Sequence, residues 1–384
     1  MKTFAKKIAR KLGLRFDDLV WPYYWAAYNF LGGKAFNPLK ITIELTYGCN
    51  LRCKMCPLEN AKADEHTPAP NSQKELSIDE LQGFVNDLKK LKVKSILLTG
   101  GEPFIKKDIE KLIAKIKENN FYCCILSNGY FITEYHAKKL VDAKVDLISF
   151  SMDGPQALHN KIRGVDDSFE KICQSIKLIQ AEKKRAHSAL PRIILNCTIS
   201  ALNQEHISEI VDIAHELGVE LVDYMYLFYT NPEKITATKS VMAVGSLKPE
   251  SQILPESIKK IDTQKLIQEV NRAKNKAKKY KISIGFNPPL EDKEIEKRFF
   301  DDSFSFSSKC FYPWFETRLD PYGNVYPCSL DVPMGNIRKM PFSQIWNGAQ
   351  YIDFRNKLKQ HKLLPMCAKC CKLVYRYWSR LPTF

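Results

Sequence analysis

The sequence contains no apolar run long enough to cross a membrane. Its most apolar stretch, residues 19–31, is interrupted by Pro22 and Asn29 and is shorter than the roughly 20 residues that a spanning helix needs. No uninterrupted apolar core follows the first lysines, so a secretory signal is not predicted either. We therefore expect a cytoplasmic protein in a reducing environment, where grouped cysteines indicate metal or redox chemistry rather than disulfides.

Acidic residues are few relative to basic ones. The chain has 43 Asp and Glu against 59 Lys and Arg, which gives a formal net charge of +16. This excess predicts attraction to an anionic partner, and nucleic acid, anionic lipid and a negatively charged small substrate are all compatible with it. Hydrophobic residues make up 45% and charged residues 27% of the chain, which excludes a collagen-like or largely disordered protein.

Short apolar runs alternate with longer amphipathic segments over residues 41–229. The apolar runs are rich in β-branched and aromatic residues and predict strands over residues 41–45, 95–98, 121–126, 147–150, 193–199 and 221–228. The amphipathic segments predict helices over residues 78–91, 107–119, 134–143, 168–184 and 204–217. Repeated strand–helix units require a parallel sheet with right-handed crossovers, which a full or partial barrel provides.

The rest of the chain differs in composition. Residues 1–40 are basic and aromatic, and residues 230–260 are rich in Thr, Ser, Lys and Pro, which is typical of a linker or a lid. A helix over 263–280 and a strand over 282–286 follow, and the end of the chain is predicted to form short strands and turns around a cysteine cluster. We expect four parts, at residues 1–40, 41–229, 230–307 and 308–384.

Three cysteines lie close together after the first predicted strand. Cys49, Cys53 and Cys56 are separated by three and then two residues. A cubane iron–sulfur cluster takes four ligands, so three thiolates would leave one iron open to a ligand from outside the protein. An open position is also what a catalytic metal centre needs. The alternatives are a structural zinc knuckle and three buried thiols, but no histidine or fourth cysteine lies close in sequence.

This motif resembles the signature of the radical S-adenosylmethionine (radical SAM) enzymes. The resemblance implies an α/β fold, a partial (β/α)6 barrel, which agrees with the predicted strands. It also implies that SAM chelates the open iron of a 4Fe–4S cluster and that one electron cleaves SAM to a 5′-deoxyadenosyl radical, which abstracts a substrate hydrogen. Met55 stands where the family commonly has an aromatic residue, and its soft apolar side chain suits an adenine pocket.

Polar motifs after the next three strands extend the resemblance. Residues 100–103 match the family's Gly-Gly-Glu-Pro motif, which implies that Glu102 contacts the SAM amino group, and the two glycines permit a close approach of the backbone. By the same resemblance Arg163 pairs with the SAM carboxylate, and the polar groups after the third and fourth strands suit the ribose. The candidate SAM-binding residues are Met55, Gly100, Gly101, Glu102, Pro103, Ser127, Asn128, Ser151, Asp153 and Arg163.

A second group of cysteines lies near the end of the sequence. Cys310 and Cys328 flank a predicted hairpin with its turn at residues 322–324, and Cys367 and Cys370 follow after a longer interval. Four thiolates suit either a closed 4Fe–4S cluster or a zinc ribbon. Cys371 is a spare or alternative ligand. The remaining cysteines lie in strand or helix patterns and are predicted to be core thiols: Cys123, Cys124, Cys173 and Cys197.

The C-terminal region resembles the SPASM-type extension of radical SAM enzymes, with Gly323 before a cysteine and a Gly-Asn-Ile segment at residues 335–337. That extension carries auxiliary iron–sulfur clusters. Fuller members have more cysteines and two clusters, so the resemblance implies here a small C-terminal iron–sulfur domain with a single auxiliary 4Fe–4S cluster. Such a cluster would accept an electron from the substrate or relay electrons during turnover. Its expected ligands are Cys310, Cys328, Cys367 and Cys370.

These resemblances imply a radical SAM oxidoreductase or modifying enzyme acting on a small molecule, a peptide or a lipid-linked substrate. Its expected partners are SAM and an electron donor such as flavodoxin or ferredoxin, and no side chain is assigned to catalysis itself. Two other functions stay open. One is RNA modification by the same chemistry, suggested by the positive charge, and the other is a non-catalytic iron–sulfur or zinc protein.

The first residues suggest membrane association. Phe4, Ile8 and Leu12 recur at four-residue steps opposite a basic face, and an aromatic belt follows. This pattern suits an interfacial helix at an anionic membrane surface. The alternative is a helix packed on the barrel with a solvated cationic face.

Overall fold

The protein is built around one sheet of parallel and antiparallel strands. A computed structural model describes residues 16–56, 74–242, 258 and 260–373. The strands in these residues are β1 (Lys40–Glu44), β2 (Ser95–Thr99), β3 (Tyr122–Ser127), β4 (Leu147–Ser151), β5 (Arg192–Ile199), β6 (Leu221–Tyr226), β7 (Ser283–Asn287), β8 (Glu316–Leu319), β9 (Asn324–Tyr326) and β10 (Gly335–Asn336). Their order in the sheet is β10-β9-β8-β1-β2-β3-β4-β5-β6-β7.

Helices connect the strands and follow the sheet. Those in the first half are α1 (Phe16–Phe30), α2 (Ile78–Lys90), α3 (Ile109–Glu118), α4 (Glu134–Asp142), α5 (Gln156–Arg163) and α6 (Ser168–Arg185). Those in the second half are α7 (Glu209–Glu216), α8 (Pro232–Val241), α9 (Thr263–Tyr280), α10 (Asp292–Phe300), α11 (Phe342–Trp346) and α12 (Ala349–His361).

Strands β1 to β7 run parallel, each beside the next in sequence. The helices between them pack an apolar face on the sheet, as α3 does with Ile109, Leu112, Ile113 and Ile116. This is the mixed α/β partial barrel that the sequence predicts. Cys123, Cys124 and Cys197 are buried in its strands, as expected of core thiols, and Cys173 on α6 is half-buried.

Local hydrogen bonds set the ends of several helices. Ser77 and Glu80 form a reciprocal capping box at the start of α2. Helix α7 begins at Glu209 rather than at the predicted residue 204, because residues 201–208 form turns. Asn203 holds these turns by accepting from Ser200 N at 2.9 Å and donating to Thr198 O at 3.0 Å. This competition of a short amide side chain with the helix explains the difference.

Residues 232–241, within the segment 230–260 that is predicted to be a linker or a lid, form α8. Asn231 caps this helix by accepting from Lys234 N at 2.9 Å, and Pro232 occupies its first turn, where the missing N–H costs nothing. Thr238 on α8 accepts from Met366 N at 3.1 Å, which attaches the helix to the segment between Cys367 and α12. Residues 243–257 and 259 lie outside the described residues.

The C-terminal region continues the barrel sheet. Strands β8 and β9 form the predicted antiparallel hairpin, and β8 lies parallel to β1. Lys40 and Glu316 form a buried ion pair at 3.3 Å across this junction, and Arg318 pairs with Glu44 at 2.7 Å. The prediction of only short strands and turns from residue 308 is wrong, since α11 and α12 are helical. The buried Arg355 interrupts the apolar stripe of α12 and hides its helical period.

Helix α1 packs on the C-terminal region with one face. The Tyr28 ring lies 4.3 Å from the Phe311 ring and 4.8 Å from the Trp314 ring, and all three side chains are buried. Tyr23 and Phe30, in contrast, are mainly exposed. The predicted interfacial pattern at residues 4–12 lies outside the described residues, so membrane association stays a prediction. Within the described residues, the helices are too short or too polar to cross a membrane.

The two faces of α1 predict a large difference between two tyrosine substitutions. Tyr28→Ala removes a ring from the core and should lower the free energy of unfolding by about 3–5 kcal/mol. Tyr23→Ala, at a side chain that is 63% exposed, should change it by less than about 0.5 kcal/mol. Urea unfolding of the cluster-free protein, followed by tryptophan fluorescence, measures both. Equal losses would contradict the packing of α1 described above.

Candidate active site

A cavity of about 330 Å³ opens at the carboxyl ends of the parallel strands. Ligands collect at this edge of such sheets because the loops after successive strands converge there. The predicted residues that line the cavity are Cys49, Cys53, Met55, Cys56, Gly100, Gly101, Ser127, Asn128, Ser151 and Arg163. Glu102, Pro103 and Asp153 do not line it and are buried behind its wall.

The cysteine loop after β1 lies directly against the Gly-Gly segment after β2. Gly101 N donates to Thr46 O at 2.7 Å, and Glu102 N donates to Gly48 O at 2.9 Å. A Cβ atom on Gly101 would lie only 2.0 Å from Gly48 O, so glycine is required for this approach. The close packing of the two segments fixes the start of the cysteine loop.

Glu102 joins the loops after β2 and β3 from below the cavity. Its carboxylate accepts hydrogen bonds from Phe104 N at 3.1 Å, Ser127 Oγ at 2.8 Å and Asn128 N at 2.8 Å. The side chain is fully buried, and this desolvation raises the pKa of Glu102 to about 7 against the opposing effect of the three donors. These hydrogen bonds make Glu102 a positioning residue for Ser127 and Asn128. The contact of Glu102 with SAM stays a prediction.

Arg163, Asp153 and Cys53 form a buried chain of polar contacts. Arg163 Nη2 lies 2.5 Å from Asp153 Oδ2, and its Nη1 donates to Cys53 Sγ at 3.6 Å. Burial raises the pKa of Cys53, whereas the guanidinium favours the thiolate that ligation needs. Asp153 also accepts from Thr198 N at 3.2 Å, so it faces Arg163 and β5 rather than the cavity.

The cavity has walls that the sequence did not identify. They come from the ends of β5 and β6 and from the second cysteine group: Asn196, Thr198, Met225, Tyr226, Leu227, Phe228 and Cys371. The Tyr226 hydroxyl and Asn196 Oδ1 are buried without a hydrogen-bond partner among the described residues. Buried polar atoms of this kind are normally satisfied, which suits a ligand in the cavity. Their position at the ends of predicted strands is the sequence feature that could have identified them as lining the site.

The second cysteine group lies beside this cavity. Burial raises the pKa of Cys367, and the neighbouring charges of Cys328 and Cys310 raise it further, so these three thiols are close together. Cys370 lies next to Cys367 and Cys371, but only Cys371 reaches the cavity. This arrangement favours the predicted set of four with Cys370 and places Cys371 between the two sites.

Backbone N–H groups already point at three of the predicted ligand sulfurs. In each case the donor is two residues after the cysteine. The pairs are Leu51 with Cys49 at 3.5 Å, Leu330 with Cys328 at 3.4 Å and Lys372 with Cys370 at 3.4 Å. Such hydrogen bonds favour the thiolate and tune the potentials of iron–sulfur clusters. Both cysteine groups therefore fit a cluster.

Neither group has the geometry of a single-ion site. Within residues 16–56, 74–242, 258 and 260–373, no three His, Cys, Asp or Glu side chains converge on a point where one metal ion could be held. The cysteines of a cubane bind separate irons and need not converge.

Sequence profiles of two families match the chain, one at each cysteine group. The profile of the radical SAM superfamily matches residues 43–195, which include Cys49, Cys53 and Cys56. The profile of the SPASM iron–sulfur cluster-binding domain matches residues 310–371.

Proteins of known activity are similar over most of the chain. An AdoMet-dependent heme synthase from Methanosarcina barkeri (strain Fusaro / DSM 804) is 25% identical over 342 residues, which cover 87% of this chain and 88% of that protein. An Fe-coproporphyrin III synthase from the same organism is 25% identical over 337 residues, covering 85% of this chain and 79% of that protein.

A solved structure shares the fold. Streptococcus suis SuiB bound to S-adenosylmethionine superposes with a TM-score of 0.62 at 15% identity, covering 92% of this chain and 77% of SuiB. SuiB has also been solved with its precursor peptide SuiA. Together with the cysteine loop and the partial barrel, the two profiles show that the chain contains a radical SAM domain and a C-terminal SPASM domain, which imply a 4Fe–4S cluster, an auxiliary iron–sulfur cluster and SAM.

Proposed function

We propose that this protein is a radical SAM oxidoreductase that removes a hydrogen atom from its substrate and passes the surplus electron to the auxiliary cluster. One observation carries the proposal: Cys49, Cys53 and Cys56 line the same cavity as Cys371, which adjoins the second cysteine group. When bound, SAM and the two clusters supply one-electron chemistry, with the first site taking the hydrogen atom and the second accepting an electron. A substrate in this cavity would lie between both.

The residues around the cavity would prepare it for SAM. The three thiols would hold the first cluster with one iron open, and Arg163 would keep Cys53 as a thiolate. Gly100 and Gly101 would let the backbone approach SAM closely. The Glu102 carboxylate lies just below and would attract the SAM ammonium group, because a buried cation there relieves the cost of burying the carboxylate.

The cavity wall places no carboxylate against a substrate with negative charge. None of the described lining residues is Asp or Glu, and the one charged residue among them, Arg163, is paired with Asp153. The similar heme and Fe-coproporphyrin III synthases make iron tetrapyrroles by their names, and heme and coproporphyrin carry carboxylates. A carboxylate-bearing tetrapyrrole is therefore the substrate class we propose. A peptide, as bound by SuiB, is the second class to test.

The function is tested by SAM cleavage. Cys53→Ala leaves two thiolates for the first cluster, so anaerobic, reconstituted protein should make no 5′-deoxyadenosine. Cys173→Ala is the matched control, since this half-buried thiol lies on α6 and does not line the cavity. The control should keep the parent rate, with iron tetrapyrrole and peptide supplied in separate reactions. Undiminished 5′-deoxyadenosine from Cys53→Ala would refute the assignment.

Glu102 should make the stability of the SAM-free protein depend on pH. The pKa of Glu102 is raised from 4.5 to about 7, so the folded state keeps this proton to higher pH than the unfolded state does. The contribution to stability is full below pH 4.5 and is lost as the pH rises through about 7, a difference of roughly 3 kcal/mol. Urea unfolding of the cluster-free parent and of Glu102→Gln measures this difference. Parallel pH profiles of the two proteins would contradict the raised pKa.

The two cysteine groups should lose iron independently. Cys328→Ala should lose about half of the iron, because each of two cubanes carries four of about eight iron atoms per chain. Cys371→Ala should keep the full iron content, since Cys371 lines the cavity and the four predicted ligands remain. Iron analysis and electron paramagnetic resonance (EPR) spectra measure both. If Cys371→Ala loses as much iron as Cys370→Ala, Cys371 is a ligand and our choice of Cys370 is wrong.

A further inference from the structure

A fully buried arginine lies between the cavity and the second cysteine group. Arg298 on α10 is only 1% exposed, and no Asp or Glu of the described residues forms an ion pair with it. Its Nη2 donates to Leu227 O in the cavity wall at 3.0 Å and to Lys369 O at 2.7 Å. Lys369 lies between Cys367 and Cys370, so the guanidinium touches the backbone that carries two predicted cluster ligands.

A buried cation without an anion is costly. Removing such a charge from water costs several kcal/mol, which backbone carbonyls and ring faces offset only in part. The Tyr226 and Tyr229 rings lie 5.5 and 5.7 Å from the guanidinium carbon, and Nε has no hydrogen-bond partner among the described residues. Cys371 and Cys370 are close enough that their thiolates, when formed, favour the guanidinium form of Arg298.

We infer that Arg298 is a buried counter-cation of the auxiliary cluster and raises its reduction potential. A cluster with four thiolates carries net negative charge, and reduction adds one more electron to it. A nearby buried cation stabilises the more negative, reduced form of the cluster. The low polarisability of the protein interior strengthens this electrostatic stabilisation. Such a cluster accepts an electron more readily. The inference rests on the proposed function only in that the second cysteine group holds a cluster.

A second buried arginine provides the matched control. Arg355 is also fully buried and has no ion pair with a described Asp or Glu. It stacks on Trp346 and Tyr351 at 4.2 and 4.3 Å and donates to Pro313 O at 2.9 Å. No cysteine is among the charges that act on it. It therefore matches Arg298 in burial and in lacking a carboxylate, but not in its closeness to the thiols.

The test is a redox titration of the auxiliary cluster alone. Replacing Cys49, Cys53 and Cys56 by alanine in the full-length chain removes the first cluster, and the remaining signal is followed anaerobically by EPR. In this background Arg298→Met should shift the midpoint potential to a more negative value. Arg298→Lys should stay near the parent because it keeps the charge, and Arg355→Met should leave the potential unchanged.

Each outcome of the titration either supports or overturns the role of Arg298. An unshifted potential in iron-replete Arg298→Met, or equal shifts in Arg298→Lys and Arg298→Met, would overturn the inference. If Arg298→Met assembles no cluster, Arg298→Gln is titrated in its place, with the same expected shift. If Arg298→Met and Arg298→Gln both lose iron but Arg298→Lys keeps it, the result supports a need for positive charge at this position. If all three variants lose iron, the inference is overturned. The titration uses no substrate. An unshifted potential would therefore overturn the role of Arg298 only, whereas the proposed electron transfer from the substrate is tested separately by product formation.

Discussion

The close approach of two backbone segments organises the site. Residues 46–48 after β1 and residues 100–102 after β2 are joined by hydrogen bonds of 2.7 and 2.9 Å, and the approach leaves no space for a Cβ on Gly101. Parallel strands bring these loops to one edge, but only the glycine lets them touch. The position of Cys49 depends on this contact, and Glu102 extends it to the loop after β3.

Desolvation is the second constraint, and the protein offsets its cost differently at Arg163, Arg355 and Arg298. Arg163 has a carboxylate partner in Asp153, which keeps the pair neutral near the Cys53 thiol. Arg355 has carbonyl oxygens and aromatic faces, and burial lowers its pKa to about 10. Arg298 donates to two carbonyl oxygens, one of them that of Lys369 between Cys367 and Cys370. The charge left unbalanced at Arg298 is thus located where a negatively charged cluster is expected.

The sequence predicted what depends on local pattern. The strands of the barrel follow from short apolar runs, and the two cysteine groups follow from their spacing. Features that depend on distant contacts were missed: α12 has Arg355 in its apolar stripe, and Tyr226 and Cys371 come to the cavity from segments that are far apart in sequence. Asp153 was expected to face ribose, yet burial beside Arg163 turns it to the protein. The residue pattern within one segment does not show which residues of a distant segment will pack against it.

The continuity of the sheet links the two cysteine groups mechanically. Strand β8 lies parallel to β1, so both end at the same edge, where β1 leads into the Cys49 loop and β8 into the hairpin before Cys328. The buried pair of Lys40 and Glu316 and the pair of Glu44 and Arg318 hold these strands in register. Because the two groups start from neighbouring strands, their separation is set by sheet geometry rather than by a flexible linker. A fixed separation is what electron transfer between a substrate in the cavity and a cluster beside it requires.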